Sequence, residues 1–220
     1  MRKDSFKILK KAINNSQNIS IITHWSPDGD AIGSSLALYQ FLKYLDKNVK
    51  VIIPNAFPDF LEWMPGSKQI LNFQEEGKKC ENWLNKSDLI FTLDFNSYKR
   101  IEKLGDVLLK TSAPKVMIDH HQQPDDYAKY YFHDVNACST CELIFELICG
   151  LGAKKTIDKK QSDQNVDQFI GYGSIENESG MSFVYHQKQK GVHQLIVNTL
   201  SKEGQLVKGN SIILNEKNYE

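Results

Sequence analysis

A chain of 220 residues is long enough for one ordinary domain, or for one domain and part of another. With 40% hydrophobic and 25% charged residues it has the balance of a globular protein that buries a core. Lysine plus arginine (27) equals aspartate plus glutamate (27), so there is no basic footprint for duplex nucleic acid, whose binding rests on neutralising phosphates. A short phosphorylated ligand held by a few local charges stays open.

The first segment, MRKDSFKILKKAINN, places Phe6, Leu9 and Ile13 on one face and reads as a surface helix. It lacks the continuous apolar region and small-residue cleavage site of a signal peptide. No apolar run approaches the roughly 18 residues of a membrane span, so no membrane partner and a cytoplasmic location are expected.

NISIITH (18–24) follows as a buried strand, and AIGSSLALYQFLKYL (31–45) carries helical spacing. VKVIIPN (49–55) is the next strand, and PDFLEWMPG a turn-rich connector. EEGKKCENWLNKS then reads as a helix and SDLIFTLDF (87–95) as a strongly apolar strand. IEKLGDVLLKT is helical, APKVMIDHH (113–121) a strand, and YAKYYFHDV (127–135) an edge strand. The STCELIFELICGLG helix closes the series, with Ser139 or Thr140 as its cap. This alternation predicts an α/β fold, a mostly parallel sheet with helices on both faces.

The four cysteines, Cys80, Cys138, Cys141 and Cys149, do not make a disulfide framework in a chain of this size. CSTC at 138–141 has redox or half-zinc spacing but no second pair to complete a four-cysteine site. Cys141 reads as a small core residue at the start of a helix.

Right-handed crossovers place every strand's C-terminal end on one rim. His24 ends the first strand, Asp94 the strand LIFTLD, and Asp119, His120 and His121 the strand VMID. Asp28 and Asp30 stand on the turn after His24, where either would also serve as a helix cap. Each residue alone has an ordinary explanation. Their shared position at one end of the sheet does not, and it points to a metal site. A helix N-terminus there suits a phosphate, but so many carboxylates would repel one unless cations lie between. Mixed Asp and His ligands suit Mn²⁺-like ions, and two ions about 3.5–4 Å apart, sharing a carboxylate, would use all of them.

HWSPDGDAIGS, the lone Asp of TLDFNS, and IDHH together resemble the first three motifs of the DHH phosphoesterase superfamily. VIIPNAFPDFLEWMPG, LDFNSYKRIEKLG and DHHQQPDDYAKYYFHDVNACSTCELIFELI are similar to its bifunctional oligoribonuclease and pAp phosphatase branch, over residues 1–158. The resemblance implies two Mn²⁺ ions, one held by His24 and Asp28 and the other by Asp30 and His120, with Asp94 bridging. It further implies that Asp119 orients His120 and that His121 faces the phosphate. Arg100 is a candidate substrate contact or an ordinary exposed arginine. The substrates implied are short single-stranded oligoribonucleotides and 3′-phosphoadenosine 5′-phosphate, hydrolysed without a covalent intermediate.

The resemblance also implies a fourth Asp-Thr-Gly motif after 158, where this chain has ESG at 178–180, with Glu178 in the aspartate's place. GVHQLIVNTLSKEG (191–204) reads as the last helix of the domain. Residues 159–220 are thus expected to form a divergent end of the domain, disturbed by a loss or frame shift within 161–190. The glycine-rich GGGH segment of a second, substrate-binding domain is expected to be absent. A face left bare by that domain would favour self-association, most simply as a homodimer. Two alternatives stand beside the oligoribonuclease reading: a DHH hydrolase of linear dinucleotides, and a non-catalytic remnant that binds metal or nucleotide.

Overall fold

The computed structural model describes residues 3–153 and the strand backbone at 168–173, 181–189, 192–200 and 206–214. Helix α1 (Lys3–Asn14) precedes β1 (Asn18–Ile22), α2 (Gly29–Tyr44) and β2 (Asn48–Ile53). Then come β3 (Leu71–Asn72), α3 (Phe73–Leu84), β4 (Leu89–Leu93), α4 (Lys103–Lys110), β5 (Lys115–Asp119), β6 (Tyr130–His133) and α5 (Thr140–Ile148). Six strands form one sheet in the order β3-β2-β1-β4-β5-β6, every pair parallel. The expected α/β sheet is therefore present, and β6 takes the edge position. The two-residue β3 went unread because it is too short to show alternation.

The strands alternate between two cores, as period-two side chains must. Ile19 and Ile21 of β1 and Leu89, Phe91 and Leu93 of β4 face a core completed by Leu9 and Ile13 of α1, Ile32, Leu36 and Leu42 of α2, and Ile144 and Leu147 of α5. Ile22 and Ile90 face the other core, with Cys80 and Leu84 of α3 and Leu104 and Leu108 of α4. Helices thus cover both faces. Cys141 is buried in the first core, as expected of a small apolar residue.

Helix α2 is buried almost continuously from Gly29 to Leu38, and small residues (Gly33, Ser34, Ser35, Ala37) let it approach its neighbours closely. Asp28 caps it, accepting from the backbone N–H of Asp30 at 2.9 Å and of Ala31 at 3.0 Å. The segment after β4 departs from a continuous helix. A 3-10 turn (Tyr98–Ile101) ends at Glu102, whose φ of 50° breaks the helical path before α4. Among the described residues no helix is long and apolar enough to cross a membrane.

Beyond α5 the backbone forms β7 (Gln168–Gly173), β8 (Met181–Gln189), β9 (Val192–Leu200) and β10 (Leu206–Leu214), paired antiparallel in the order β10-β9-β8-β7. The helix expected over 191–204 is a correction: Val192–Leu200 is a strand, paired to both β8 and β10. The run VHQLIVNTL satisfies either period, since three adjacent apolar residues fit a helix stripe and a buried strand alike. Glu178, the candidate fourth-motif carboxylate, lies outside the described residues, as do 154–167.

Candidate metal centre

The strand order reverses direction of growth between β1 and β4, the switch point at which open parallel sheets leave a crevice beyond their C-terminal ends. His24 leaves β1 on one side of that crevice and Asp94 leaves β4 on the other; Asp119, His120 and His121 leave β5 next to them. Sharp local turns hold these exits. Ser26 (φ 53°) and Asp94 (φ 63°) adopt the left-handed conformation, which Asp tolerates better than most residues. At β5 the Asp119 carboxylate accepts the N–H of His121 at 3.0 Å, the short-range bond of an Asx turn.

The loops are also laced to one another. The N–H of Trp25 donates to the Arg100 carbonyl at 2.7 Å, and that of Ser26 donates to Asn55 Oδ1 at 2.7 Å. Asn96 Nδ2 donates to the Gln122 carbonyl at 2.6 Å, and the N–H of Asp125 to the Asn96 carbonyl at 2.9 Å. Four strand exits are thereby fixed relative to one another. Arg100 participates through its carbonyl, which braces the His24 loop.

Asp94 stands at the centre and is 2% exposed. Its Oδ2 lies 3.5 Å from His24 Nε2, while its Oδ1 lies 3.6 Å from His120 Nε2 and 3.8 Å from His121 Nδ1. Each oxygen of this one carboxylate therefore addresses a different set of ligand-type atoms. Asp28 completes the first set, 3.9 Å from His24 Nε2. Asp30 Oδ2 lies 3.7 Å from His120 Nε2. Among the described residues two groups are compact enough to hold an ion: His24, Asp28 and Asp94, and Asp94, His120 and His121.

The imidazoles are oriented as ligands are. His24 Nδ1 meets the Trp25 carbonyl at 2.8 Å, and His120 Nδ1 the Ala137 carbonyl at 3.3 Å. With Nδ1 of each ring donating to a backbone carbonyl, Nε2 is the atom turned toward the carboxylates, where it carries a proton or gives that place to a cation. His121 Nδ1 instead meets Asp119 Oδ1 at 2.8 Å. The structure thus pairs Asp119 with His121, whereas the sequence reading had it orient His120. The reason is the tight turn after β5, which brings the i+2 residue back over the Asp119 carboxylate and sends His120 toward the loop before α5.

Four residues were missed by sequence reasoning. Thr140 donates its hydroxyl to Asp94 Oδ1 at 2.9 Å. The backbone N–H groups of Thr140 and Cys141 each donate, at 2.8 Å, to a separate oxygen of Asp30. His133, across from Asp119 in the β5–β6 register, has Nε2 against the His121 carbonyl and 3.9 Å from Asp119 Oδ2. Ala137 supplies the carbonyl to His120. Thr140 and Cys141 lie more than a hundred positions from Asp30, so no local spacing betrays them.

The charges respond to this crowding. Burial works against ionisation of Asp94, but hydrogen bonds from His120, His24 and Thr140 outweigh it and hold the carboxyl well below the usual range. Burial and the Asp94 charge push Asp30 up, against the hydrogen bonds from Cys141 and Thr140. The hydrogen bond to Asp94 leads in raising His120 to about 9, against its burial. Burial disfavours a charged His24, yet Asp94, the Trp25 carbonyl and Asp28 together keep its pKa above the ordinary imidazole value. The carboxylates thus call for positive charge at the two Nε2 positions.

Residues 18–173 match the DHH family, N-terminal domain. The chain is 29% identical over 140 residues to a bifunctional oligoribonuclease and PAP phosphatase of Thermus thermophilus, covering 64% of this chain and 39% of that protein. It is 26% identical over 153 residues to a cyclic-di-AMP phosphodiesterase of Listeria monocytogenes, covering 63% and 22%. Among solved structures, an exopolyphosphatase-related protein from Bacteroides fragilis superposes with a TM-score of 0.68 at 44% identity, over 69% of this chain and 44% of that one. The matches span less than half the length of each of these proteins. With the family match covering most of the chain, and the DHH triplet placed at the end of β5 beside Asp94, this chain belongs to the DHH family and carries its N-terminal domain.

Proposed function

We propose that this chain is the metal-binding catalytic domain of a phosphoesterase that hydrolyses very short oligoribonucleotides and 3′-phosphoadenosine 5′-phosphate. The observation that carries the reading is Asp94, buried between two histidines with one oxygen turned to each. A carboxylate shared by two ions must present a separate oxygen to each side, as this one does.

The residues fit two divalent ions, Mn²⁺ by the mixture of imidazole and carboxylate donors. His24 and Asp28 would hold one ion, Asp30 and His120 the other, and Asp94 both. When bound, such a pair supplies positive charge against the phosphoryl oxygens and acidifies a water for in-line attack. Asp94, kept ionised by its histidines, fixes the spacing of the two positions. The carbonyls of Trp25 and Ala137 keep each Nε2 aimed at its position. Asp119 holds His121 by Nδ1, leaving Nε2 as the atom that meets the phosphate and donates when it carries a proton. The neutral net charge of the chain favours a short single strand or a mononucleotide over a duplex.

Similarity to a bifunctional oligoribonuclease and PAP phosphatase supports the substrates; similarity to a cyclic-di-AMP phosphodiesterase supports a second reading, a dinucleotide hydrolase. The deciding experiment measures phosphate and nucleotide release from 3′-phosphoadenosine 5′-phosphate, a ribodinucleotide and a linear di-adenylate, with and without Mn²⁺. Manganese-dependent release that disappears in Asp94→Ala is expected. Release that survives in a clean Asp94→Ala preparation would overturn the assignment. Bound manganese without turnover on any substrate would leave a non-catalytic metal-binding domain.

A further inference from the structure

The N-terminus of α5 does something that the fold alone does not require. Ser139 is its cap, and the amides of the next two residues point at Asp30 instead of at solvent. The Thr140 N–H reaches Asp30 Oδ2 and the Cys141 N–H reaches Asp30 Oδ1, both at 2.8 Å. The Thr140 hydroxyl donates to Asp94 Oδ1 at 2.9 Å. All of these groups are buried: Thr140 is 0% exposed, Asp30 1% and Asp94 2%. One residue thereby touches both carboxylates that flank His120, and it touches neither His24 nor Asp28 in any described contact.

Resting on the two-ion reading above, we propose that Thr140 is a positioning residue specific to the His120 side of the centre: its hydroxyl fixes the Asp94 oxygen, and its amide the Asp30 oxygen, that serve that position. The logic is one of lone pairs. A carboxylate oxygen has two acceptor directions. The hydroxyl takes one on Asp94 Oδ1, which leaves the remaining direction of that oxygen toward His120. Oδ2, on the His24 side, has no part in the Thr140 bond. The α5 amides do the same for Asp30, and the partial positive charge of the helix end favours its ionised form. Removing the hydroxyl takes a bond from the oxygen facing His120 and none from the oxygen facing His24.

The test is manganese binding by the full chain, read by calorimetric stoichiometry and by the electron paramagnetic resonance of paired against isolated Mn²⁺. The proteins are the wild type, Thr140→Val, Thr140→Ala and Thr140→Ser, with circular dichroism as a check on folding. The expected result for wild type is two ions with a coupled spectrum. Thr140→Val and Thr140→Ala should keep one site at wild-type affinity and weaken the other by about 10- to 100-fold, as loss of a ligand's outer hydrogen bond does. Their spectra should become those of isolated ions. Thr140→Ser keeps the hydroxyl and should restore both sites. If Val fails to fold, the Ser and Ala pair still decides. Equal weakening of both sites, or no weakening in folded Val and Ala proteins, would overturn the proposal while leaving the two-ion reading intact. A wild type that binds no manganese would overturn both.

Discussion

Asp119 grips His121 twice, accepting its backbone N–H at 3.0 Å with one oxygen and meeting its ring Nδ1 at 2.8 Å with the other. The aspartate is fully buried at the end of β5, while the His121 side chain is 32% exposed, so the ring reaches from the buried carboxylate to the open side of the site. The same carboxylate thus turns the chain out of the strand and sets the tautomer of the histidine that follows. Turn geometry and ring orientation are one interaction here.

Substitution Asp119→Asn separates them. An amide oxygen can still receive the backbone N–H, but its NH₂ group then faces Nδ1, and no charge remains behind the ring to support the doubly protonated imidazole that donates through Nε2. The fold and metal content should persist, and kcat should fall by about 10- to 100-fold, the usual effect of losing a carboxylate behind a working imidazole. Steady-state kinetics with metal analysis checks this. Wild-type kcat in a metal-loaded Asp119→Asn protein would show that the Asp119 charge does not act through His121.

Substitution Asp94→Asn should be more informative than Asp94→Ala. Asparagine tolerates the left-handed backbone at this position (φ 63°), while alanine adds strain of about 1 kcal/mol there. Asn therefore removes the charge with little change to the turn. Both manganese sites should weaken together and activity should vanish, with Asp94→Asn melting above Asp94→Ala. Calorimetry and thermal unfolding read the two effects. Retention of both manganese sites in Asp94→Asn would contradict a bridging role.

A third prediction concerns the start of α5. Ser139 Oγ accepts the Glu142 N–H at 3.1 Å, and Glu142 Oε2 accepts the Cys138 N–H at 2.8 Å, a reciprocal cap that begins one residue early. Ser139→Ala should cost about 1 kcal/mol of stability, measured by urea unfolding without metal. Because the frayed turn carries Thr140 and Cys141, manganese affinity should fall as well. An unchanged affinity in a protein destabilised to that extent would mean that Asp30 is held by something other than the helix end.

How much of this was open to inspection in the sequence follows from distance along the chain. Buried parallel strands are written as β-branched apolar runs, so β1, β2, β4 and β5 and the side chains at their ends could be read directly. The convergence of His24, Asp94 and His120 followed from the handedness of the crossovers. The contacts behind them could not be read. Thr140 reaches Asp94 across 46 positions, and its amide reaches Asp30 across 110. Asp119 meets His121 where the motif suggests His120, because adjacent histidines leave a strand in different directions, which no spacing rule resolves. Strand β9 was mistaken for a helix because its central Leu-Ile-Val fits both periods.

The last prediction is a pH dependence of the metal-free protein. His120 has a folded pKa of about 9 against 6.5 when unfolded, and His24 is raised as well. A group whose pKa is raised by folding binds its proton more tightly in the native state. Its contribution is complete below pH 6.5 and is lost as pH climbs through about 9. With a chelator present, the melting temperature should therefore fall between pH 6.5 and 9, and His120→Gln should flatten much of that fall. Manganese bound at the site would supply the positive charge in place of those protons, so its addition should abolish the decline and release protons on binding near neutral pH. Differential scanning calorimetry across the pH series, with proton release measured in buffers of different ionisation enthalpy, tests both halves. A melting temperature that stays level from pH 6.5 to 9 without metal would show that the carboxylates around Asp94 do not draw their countercharge from these histidines.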